Sequence, residues 1–83
     1  MLWIVMNEFK LNDSEHIALC DLLKRVGMCE NGGAAKNFIA QGFVIVDGKK
    51  ETRKRCKILP EQIVEFQGEK VKVVKWLVLI MWV

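Results

Sequence analysis

The stretch NGGAAKNFIAQGFVIVDGKKETRKRCKI, residues 31–58, predicts a helix, a hairpin and a strongly basic segment in succession. Asn31 is a residue type that commonly caps the N-terminus of a helix. Apolar side chains then recur at helical spacing between Ala35 and Ile39, and Gly42 is suited to end the helix. We therefore predict a helix from Asn31 to Gly42 that buries its apolar side and exposes its polar side.

The apolar period changes from helical to two at Phe43, which predicts a strand. Residues 43–46 (FVIV) are apolar at every position, so we expect this strand to be buried on both faces. Asp47-Gly48 follows as a hairpin turn, and we predict the type I′ form, in which both positions have positive φ. The return segment, residues 49–58, is mostly charged and can form only an edge strand or an ordered loop.

The residues before this stretch predict a strand and a first helix. Residues 6–11 alternate loosely between apolar and polar, as a strand does. Asp13 or Ser14 can cap a helix directly afterwards, and Gly27 is placed to end it. The helix would bury one apolar stripe at spacings of three and four residues: Leu19, Leu22, Leu23 and Val26.

Two further strands follow the basic segment, at residues 63–66 and 71–74, with a turn at Gln67-Gly68. The predicted fold class is α+β, with two short angled helices packed on a small, mainly antiparallel β-sheet. The chain begins and ends in apolar runs, residues 1–5 and 76–83. We expect these two runs either to pair with each other as an extension of the sheet, which is favoured, or to be disordered.

Positive charge is concentrated in one part of the chain. The 83 residues hold 13 Lys and Arg against 10 Asp and Glu, a net charge of only +3. Between residues 49 and 57, however, Glu51 is the one acid among six basic residues. Those six are Lys49, Lys50, Arg53, Lys54, Arg55 and Lys57. A segregated patch of this kind predicts a polyanionic partner.

The residue inventory argues against metal, cofactor and catalytic sites. Three cysteines without a C-x-x-C pair and a single histidine, His16, do not supply a zinc site. One serine, one threonine and no tyrosine make a nucleophile and its base hard to assemble, so we predict no enzyme activity. His16 is expected on the surface at a helix start. Cys56 lies between two cations that could lower its pKa, although a role facing the core is favoured. Free thiols fit the cytoplasm, and no stretch reaches the roughly 20 apolar residues of a membrane span.

Four segments in the right order resemble the RNA-binding domain named after ribosomal small-subunit protein S-four, also called the αL motif. They are LCDLLKRVGMC, NGGAAKNFIAQG, VIVDG and ETRKRCKI. The last is the most specific, and with its preceding turn it is similar to the small stand-alone bacterial members of the YbcJ type. The resemblance implies a domain over residues 9–74, with extensions at 1–8 and 75–83.

The resemblance implies a non-catalytic module, related to translation, that docks on structured RNA of the ribosomal or transfer RNA type. A monomer without cofactor or small-molecule substrate is expected. Carried over by position, the RNA-facing residues are Lys36, Asn37, Lys49, Arg53, Arg55 and Lys57. Lys54 belongs to the same basic run, and backbone N–H groups at Gly32 and Gly33 can approach a phosphate at a helix N-terminus.

The aromatic residues favour recognition of RNA shape and backbone over stacking on exposed rings. All four phenylalanines fit predicted core positions, and the three tryptophans lie in the terminal runs. A second class of function remains open. The apolar ends could form a protein-interaction or membrane-surface module, with the basic patch assisting at anionic lipids.

Overall fold

A computed structural model of the chain describes residues 7–11 and 14–75. Within these residues, two helices and seven strands form a single α+β unit, and the predicted fold class is confirmed. In chain order the elements are β1 (Asn7–Lys10), β2 (Ile17–Ala18), α1 (Leu19–Arg25), α2 (Gly32–Ala40), β3 (Val44–Val46), β4 (Lys49–Lys50), β5 (Lys57–Ile58), β6 (Ile63–Phe66) and β7 (Glu69–Val74).

Five of the strands form one sheet in the order β1-β7-β6-β3-β4. Three of its four pairings are antiparallel, and only β1 and β7 run parallel. The remaining strands, β2 and β5, pair antiparallel as a separate short ribbon. The prediction of a mainly antiparallel sheet is therefore confirmed. The predicted pairing of residues 1–5 with 76–83 lies outside the described residues.

One face of the sheet packs against both helices. The alternate side chains of the three central strands are buried, and helix residues at spacings of three and four complete the same core. Strands β3, β6 and β7 contribute Val44, Val46, Val64, Phe66, Val71 and Val73, and the helices contribute Leu19, Cys20, Leu22, Leu23, Ala35 and Ile39. The predicted apolar stripes of both helices thus meet in one cluster, and Cys20 is a small core residue as expected.

The hairpin turn between β3 and β4 has the predicted backbone conformation. Asp47 and Gly48 have φ angles of 52° and 84°, and Val46 pairs with Lys49 directly across the turn. Positive φ at both positions is the mark of a type I′ turn, whose twist matches that of the flanking strands. Gln67 and Gly68, with φ of 53° and 82°, repeat the conformation between β6 and β7.

Helix α1 begins later than its capping residues predicted. It starts at Leu19, and its N-cap, Ala18, provides no side-chain hydrogen bond. Asp13 lies outside the described residues, and Ser14 and His16 precede strand β2, so neither stands at the helix start. His16 is exposed, as expected. The strand pairing of Ile17 and Ala18 with β5 replaces the predicted first turn of the helix.

Strand β3 is buried on one face only, contrary to the prediction of burial on both. Val44 and Val46 point into the core, Ile45 is half-buried, and Phe43 is 55% exposed. The cause is the position of β3 in the sheet: helices cover its inner face, while its outer face belongs to the side that they leave open. Phe43 precedes β3 and its ring contacts Phe38 of α2, but it is exposed, so its core assignment was wrong.

Candidate nucleic-acid interface

The N-terminus of α2 leaves two backbone donors open. The Asn31 side chain accepts a hydrogen bond of 2.8 Å from the Ala34 N–H, which confirms the predicted cap. The N–H groups of Gly32 and Gly33 have no acceptor among the described residues. A Cβ at Gly32 would meet no atom within 4 Å, and at Gly33 it would meet only the Asn31 Oδ1, at 3.4 Å. Neither position has positive φ. Packing and backbone strain therefore do not explain why glycine occupies both positions.

Lys36 and Asn37 lie one turn further along α2. They are three and four residues after Gly33, so all three share one side of the helix. Asn37 is exposed and Lys36 is half-buried, while Ala35 and Ile39 point to the core. The α2 residues of the candidate site thus form one stripe that begins at the open N–H groups.

Residues 51–57, called the basic loop below, continue the hairpin. The Glu51 N–H donates to the Val44 carbonyl at 2.9 Å, which extends the β3–β4 pairing by one position. The Glu51 carboxylate then accepts three hydrogen bonds from Arg53: from its backbone N–H at 2.9 Å, from Nε at 2.8 Å and from Nη2 at 3.1 Å. One acid therefore fixes both the backbone and the side chain two residues ahead.

This clamp has an electrostatic consequence. The hydrogen bonds from the Arg53 side chain and backbone lower the pKa of Glu51 from 4.5 to about 2, and they outweigh the opposing effect of its partial burial. Glu51 thus stays ionised, although its side chain is only 16% exposed. The sequence analysis counted Glu51 only as the one acid in a basic segment. The arginine two residues later could have indicated the ion pair between them.

The far end of the basic loop is fastened to α1. The Leu19 N–H donates to the Cys56 carbonyl at 2.9 Å, and the Cys20 N–H donates to the Lys54 carbonyl at 3.1 Å. Carbonyl groups of the loop therefore satisfy the open donors of the helix N-terminus, a task that side chains usually perform. This contact is also the physical reason that α1 begins at Leu19. The loop is held at both ends by backbone hydrogen bonds, and the side chains of Lys54, Arg55 and Lys57 are exposed to solvent.

The basic loop contains a shallow depression in the protein surface. It is lined by Arg53, Arg55, Cys56 and Lys57, so three of the predicted cations meet around one concavity. All three are exposed. Lys54 is exposed next to them but does not line the depression, and Lys49 lies apart on β4 next to the hairpin turn. The structure therefore brings together the cations of the loop and, separately, the stripe on α2, with α1 in contact with both the loop and α2.

Cys56 is half-buried against the core cluster, in line with the favoured prediction. The prediction that neighbouring cations could lower its pKa was wrong. Burial and the nearby Glu51 carboxylate raise the pKa of this thiol, and they outweigh the opposing effect of Arg53. Within residues 7–11 and 14–75, His, Cys, Asp and Glu form no group of three or more that could hold a metal ion. No helix of the described residues is long and apolar enough to cross a membrane.

Asp47 joins the hairpin to the segment before β6, a role that the sequence did not reveal. Its Oδ1 accepts from the Ile63 N–H at 2.9 Å, and its Oδ2 accepts from the Gln62 Nε2 at 3.0 Å. Gln62 is itself oriented, because its Oε1 accepts from the Leu59 N–H at 2.8 Å. The partners lie 15 and 16 residues away, so no local pattern could indicate them.

The fold and the basic loop agree with a known family. Residues 9–74 match the S4 domain family, and the chain belongs to that family. It is 54% identical over 69 residues to YbcJ of Escherichia coli (strain K12), a candidate RNA-binding protein by name, and to YbcJ of Shigella flexneri, named as an uncharacterized protein. Each match covers 83% of this chain and 99% of the relative.

A solved relative shows the same architecture. The solution structure of the E. coli YbcJ is described as revealing an αL motif involved in RNA binding. It matches with a TM-score of 0.68 and 50% sequence identity, over 89% of this chain and 94% of the relative. These comparisons confirm the family resemblance that the four sequence segments indicated.

Proposed function

We propose that this chain is a non-catalytic RNA-binding module that docks on structured RNA of the ribosomal or transfer RNA type. The observation that carries the proposal is the depression in the basic loop, where Arg53, Arg55 and Lys57 meet on a backbone fixed at both ends. Because the backbone is already ordered, only the side chains of these cations lose conformational freedom when they bind phosphates. The family and the RNA-binding description of the solved relative support the same function.

The stripe on α2 extends the proposed interface. The free N–H groups of Gly32 and Gly33 can hold one phosphate at the positive end of the helix, and Lys36 and Asn37 lie one turn further along. Lys49 and Lys54 add charge beside the depression. Fixed cations and backbone donors read the shape and charge of an RNA backbone rather than its bases. We propose that the chain acts without metal or cofactor, as a monomer, and in a reducing compartment such as the cytoplasm, which suits its three free thiols.

The test is the salt dependence of binding to transfer RNA by the full chain. If about four phosphates are neutralised, the slope of log affinity against log salt is roughly −3, or about fifty-fold between about 50 and 200 mM salt. The variant Arg55→Ala plus Lys57→Ala should lower that slope by about one unit per cation removed. Arg53 is left in place, because its truncation would also release Glu51 and disturb the loop.

The matched control is Lys24→Ala plus Arg25→Ala, which removes the same charge. These two residues lie in the last turn of α1, whereas the basic loop docks at the first. We expect the control to retain most of the affinity, with both variants folded by circular dichroism. Equal losses from the two pairs would mean that only overall charge matters, and the proposed interface would then be abandoned.

A further inference from the structure

The most unusual exposed side chain on the described surface is Phe43. It is 55% exposed, and within the described residues only Leu59, at 49%, is a comparably exposed large apolar residue. A ring with both faces covered would show little more than its edge, so an exposure above half leaves at least one face of Phe43 open. Scattered exposed apolar residues are ordinary in themselves. The surroundings of Phe43 are what distinguish it.

The ring of Phe43 is supported from the core outward. Its centroid lies 6.0 Å from that of Phe38 at an interplanar angle of 61°, an edge contact between aromatic rings. Phe38 in turn lies 5.0 Å from Phe66, which is only 2% exposed. The backbone is fixed as well, because the Phe43 N–H donates to the Phe38 carbonyl at 3.1 Å. Phe43 is therefore the outermost of three aromatic rings in contact, and the innermost, Phe66, lies in the core.

A cation lies close to the backbone next to this ring. The side chain of Lys50 runs along Gly42, where a Cβ would meet the Lys50 Cδ at 3.0 Å and Nζ at 3.5 Å. Val44 is opposite Glu51 in the hairpin, so Phe43, one position earlier, lies beside the point where the basic loop leaves the sheet. An open, rigid aromatic face near a cation and the start of the basic loop has the chemistry that binds an unpaired nucleobase together with its phosphate.

We propose that Phe43 is a stacking platform for an unpaired base of the bound RNA, with Lys50 contacting the adjoining phosphate. The proposal rests on the proposed function and narrows the partner, from any structured RNA to one with a bulged or looped-out base beside a helical segment. Stacking supplies what the phosphate contacts of the basic loop lack, namely a preference between two RNAs of equal charge.

The experiment compares two RNA hairpins, one fully paired and one with a single unpaired 2-aminopurine in the stem. The parent chain should bind the bulged hairpin more tightly and quench its fluorescence. Phe43→Ala should abolish both effects and weaken binding to the bulged hairpin by roughly 5- to 150-fold, the usual range for stacking of one base. Binding to the paired hairpin should not change. Phe43→Trp should keep the preference, and Leu59→Ala, the matched control for exposed apolar area, should behave as the parent.

Four results would overturn the proposal. If the parent binds both hairpins equally, with the salt dependence of the basic loop intact, the platform is refuted and the proposed function stands. If Phe43→Ala weakens binding to both hairpins alike, the ring supports the fold and does not stack on a base. If Phe43→Ala changes only the oligomeric state in size-exclusion chromatography, the ring is a contact between copies. A parent chain that binds neither hairpin would refute the proposed function together with the platform.

Discussion

Replacement of Asp47 by Asn separates two explanations for this residue. If Asp47 serves only the turn, Asn should be equal or better, because Asn-Gly is the most favourable pair for a type I′ turn. If Asp47 matters because its two oxygens join the hairpin to Gln62 and Ile63, Asn must destabilise the fold. An amide offers one acceptor oxygen and no charge, so it cannot accept both hydrogen bonds.

The two hydrogen bonds determine how much stability Asp47→Asn is expected to lose. A typical hydrogen bond contributes about 0.5–1.5 kcal/mol net, and one to a charged group up to about 3 kcal/mol. Asp47 is exposed, so the lower part of that range applies. The loss of one bond and the weakening of the other should therefore exceed any gain in the turn, for a net destabilisation of about 1 kcal/mol. In a domain of this size, that corresponds to a fall in Tm of roughly 4–8 °C.

The pH dependence gives a second, independent test. Hydrogen bonds from the Ile63 N–H and the Gln62 side chain lower the pKa of Asp47 below its ordinary value of 3.8. A group with a lowered pKa stabilises the fold above its unfolded pKa, and this contribution disappears as the pH falls through the folded pKa. The difference in the free energy of unfolding between parent and Asp47→Asn should thus be full at neutral pH and shrink below about pH 4.

Urea denaturation at several pH values measures both effects. The control is Gln67→Asn, which places Asn before Gly at the equivalent position of the second hairpin turn. The Gln67 side chain forms no hydrogen bond with the described residues, so only the turn is affected. This control should be neutral or slightly stabilising. An Asp47→Asn variant as stable as the parent at neutral pH would show that the two side-chain bonds contribute nothing, and the reasoning would fail.

Two further perturbations test the hairpin and the loop. Gly48→Val should lower the free energy of unfolding by about 1–3 kcal/mol, because a β-branched residue is strained at a φ of 84°. No atom lies within 4 Å of the added Cβ, so strain is the only cause of this loss. An unchanged Tm in thermal denaturation would therefore refute the strain argument. Glu51→Gln should remove the clamp on Arg53 and raise the amide exchange rate of its backbone N–H by about tenfold, as for the loss of one hydrogen bond. In the parent, acidification from about pH 4.5 towards 2 should likewise lower the protection of this N–H relative to an unstructured amide at the same pH, because the lowered pKa of Glu51 holds the clamp only while the carboxylate is ionised. Slow exchange at Arg53 in the variant would mean that other contacts order the loop.

The sequence predicted those parts of the fold that depend on nearby residues. Asn31 caps α2, Gly27 and Gly42 follow the two helices with positive φ, and Asp47-Gly48 turns the hairpin. Each of these outcomes is decided within about four residues, which is the reach of capping and turn chemistry. The apolar stripes of both helices were also predicted correctly, because helical spacing alone fixes which residues face the core.

The errors about the fold came from contacts between distant segments. Ser14 had the right chemistry for a helix cap, but carbonyls of the basic loop, more than 30 residues later, cap α1 instead. Phe43 had the right hydrophobicity for a core position, but Phe38 packs between it and the buried Phe66, and that packing depends on how α2 lies against the sheet. The basic residues were identified by composition. Their meeting around one depression depends on the docking of the loop on α1.

That docking decides what the charge of the chain can do. Residues 51–57 hold four of the 13 basic and one of the 10 acidic residues, so the remaining nine of each cancel and the loop carries the entire net charge of +3. On a loose loop, such charge would attract any polyanion without orienting it. Because backbone hydrogen bonds fix the loop at α1 and at β3, the charge keeps a constant direction relative to α2 and Phe43. A uniform attraction thereby becomes a directional one, which favours encounters that place the RNA backbone on the interface from the start.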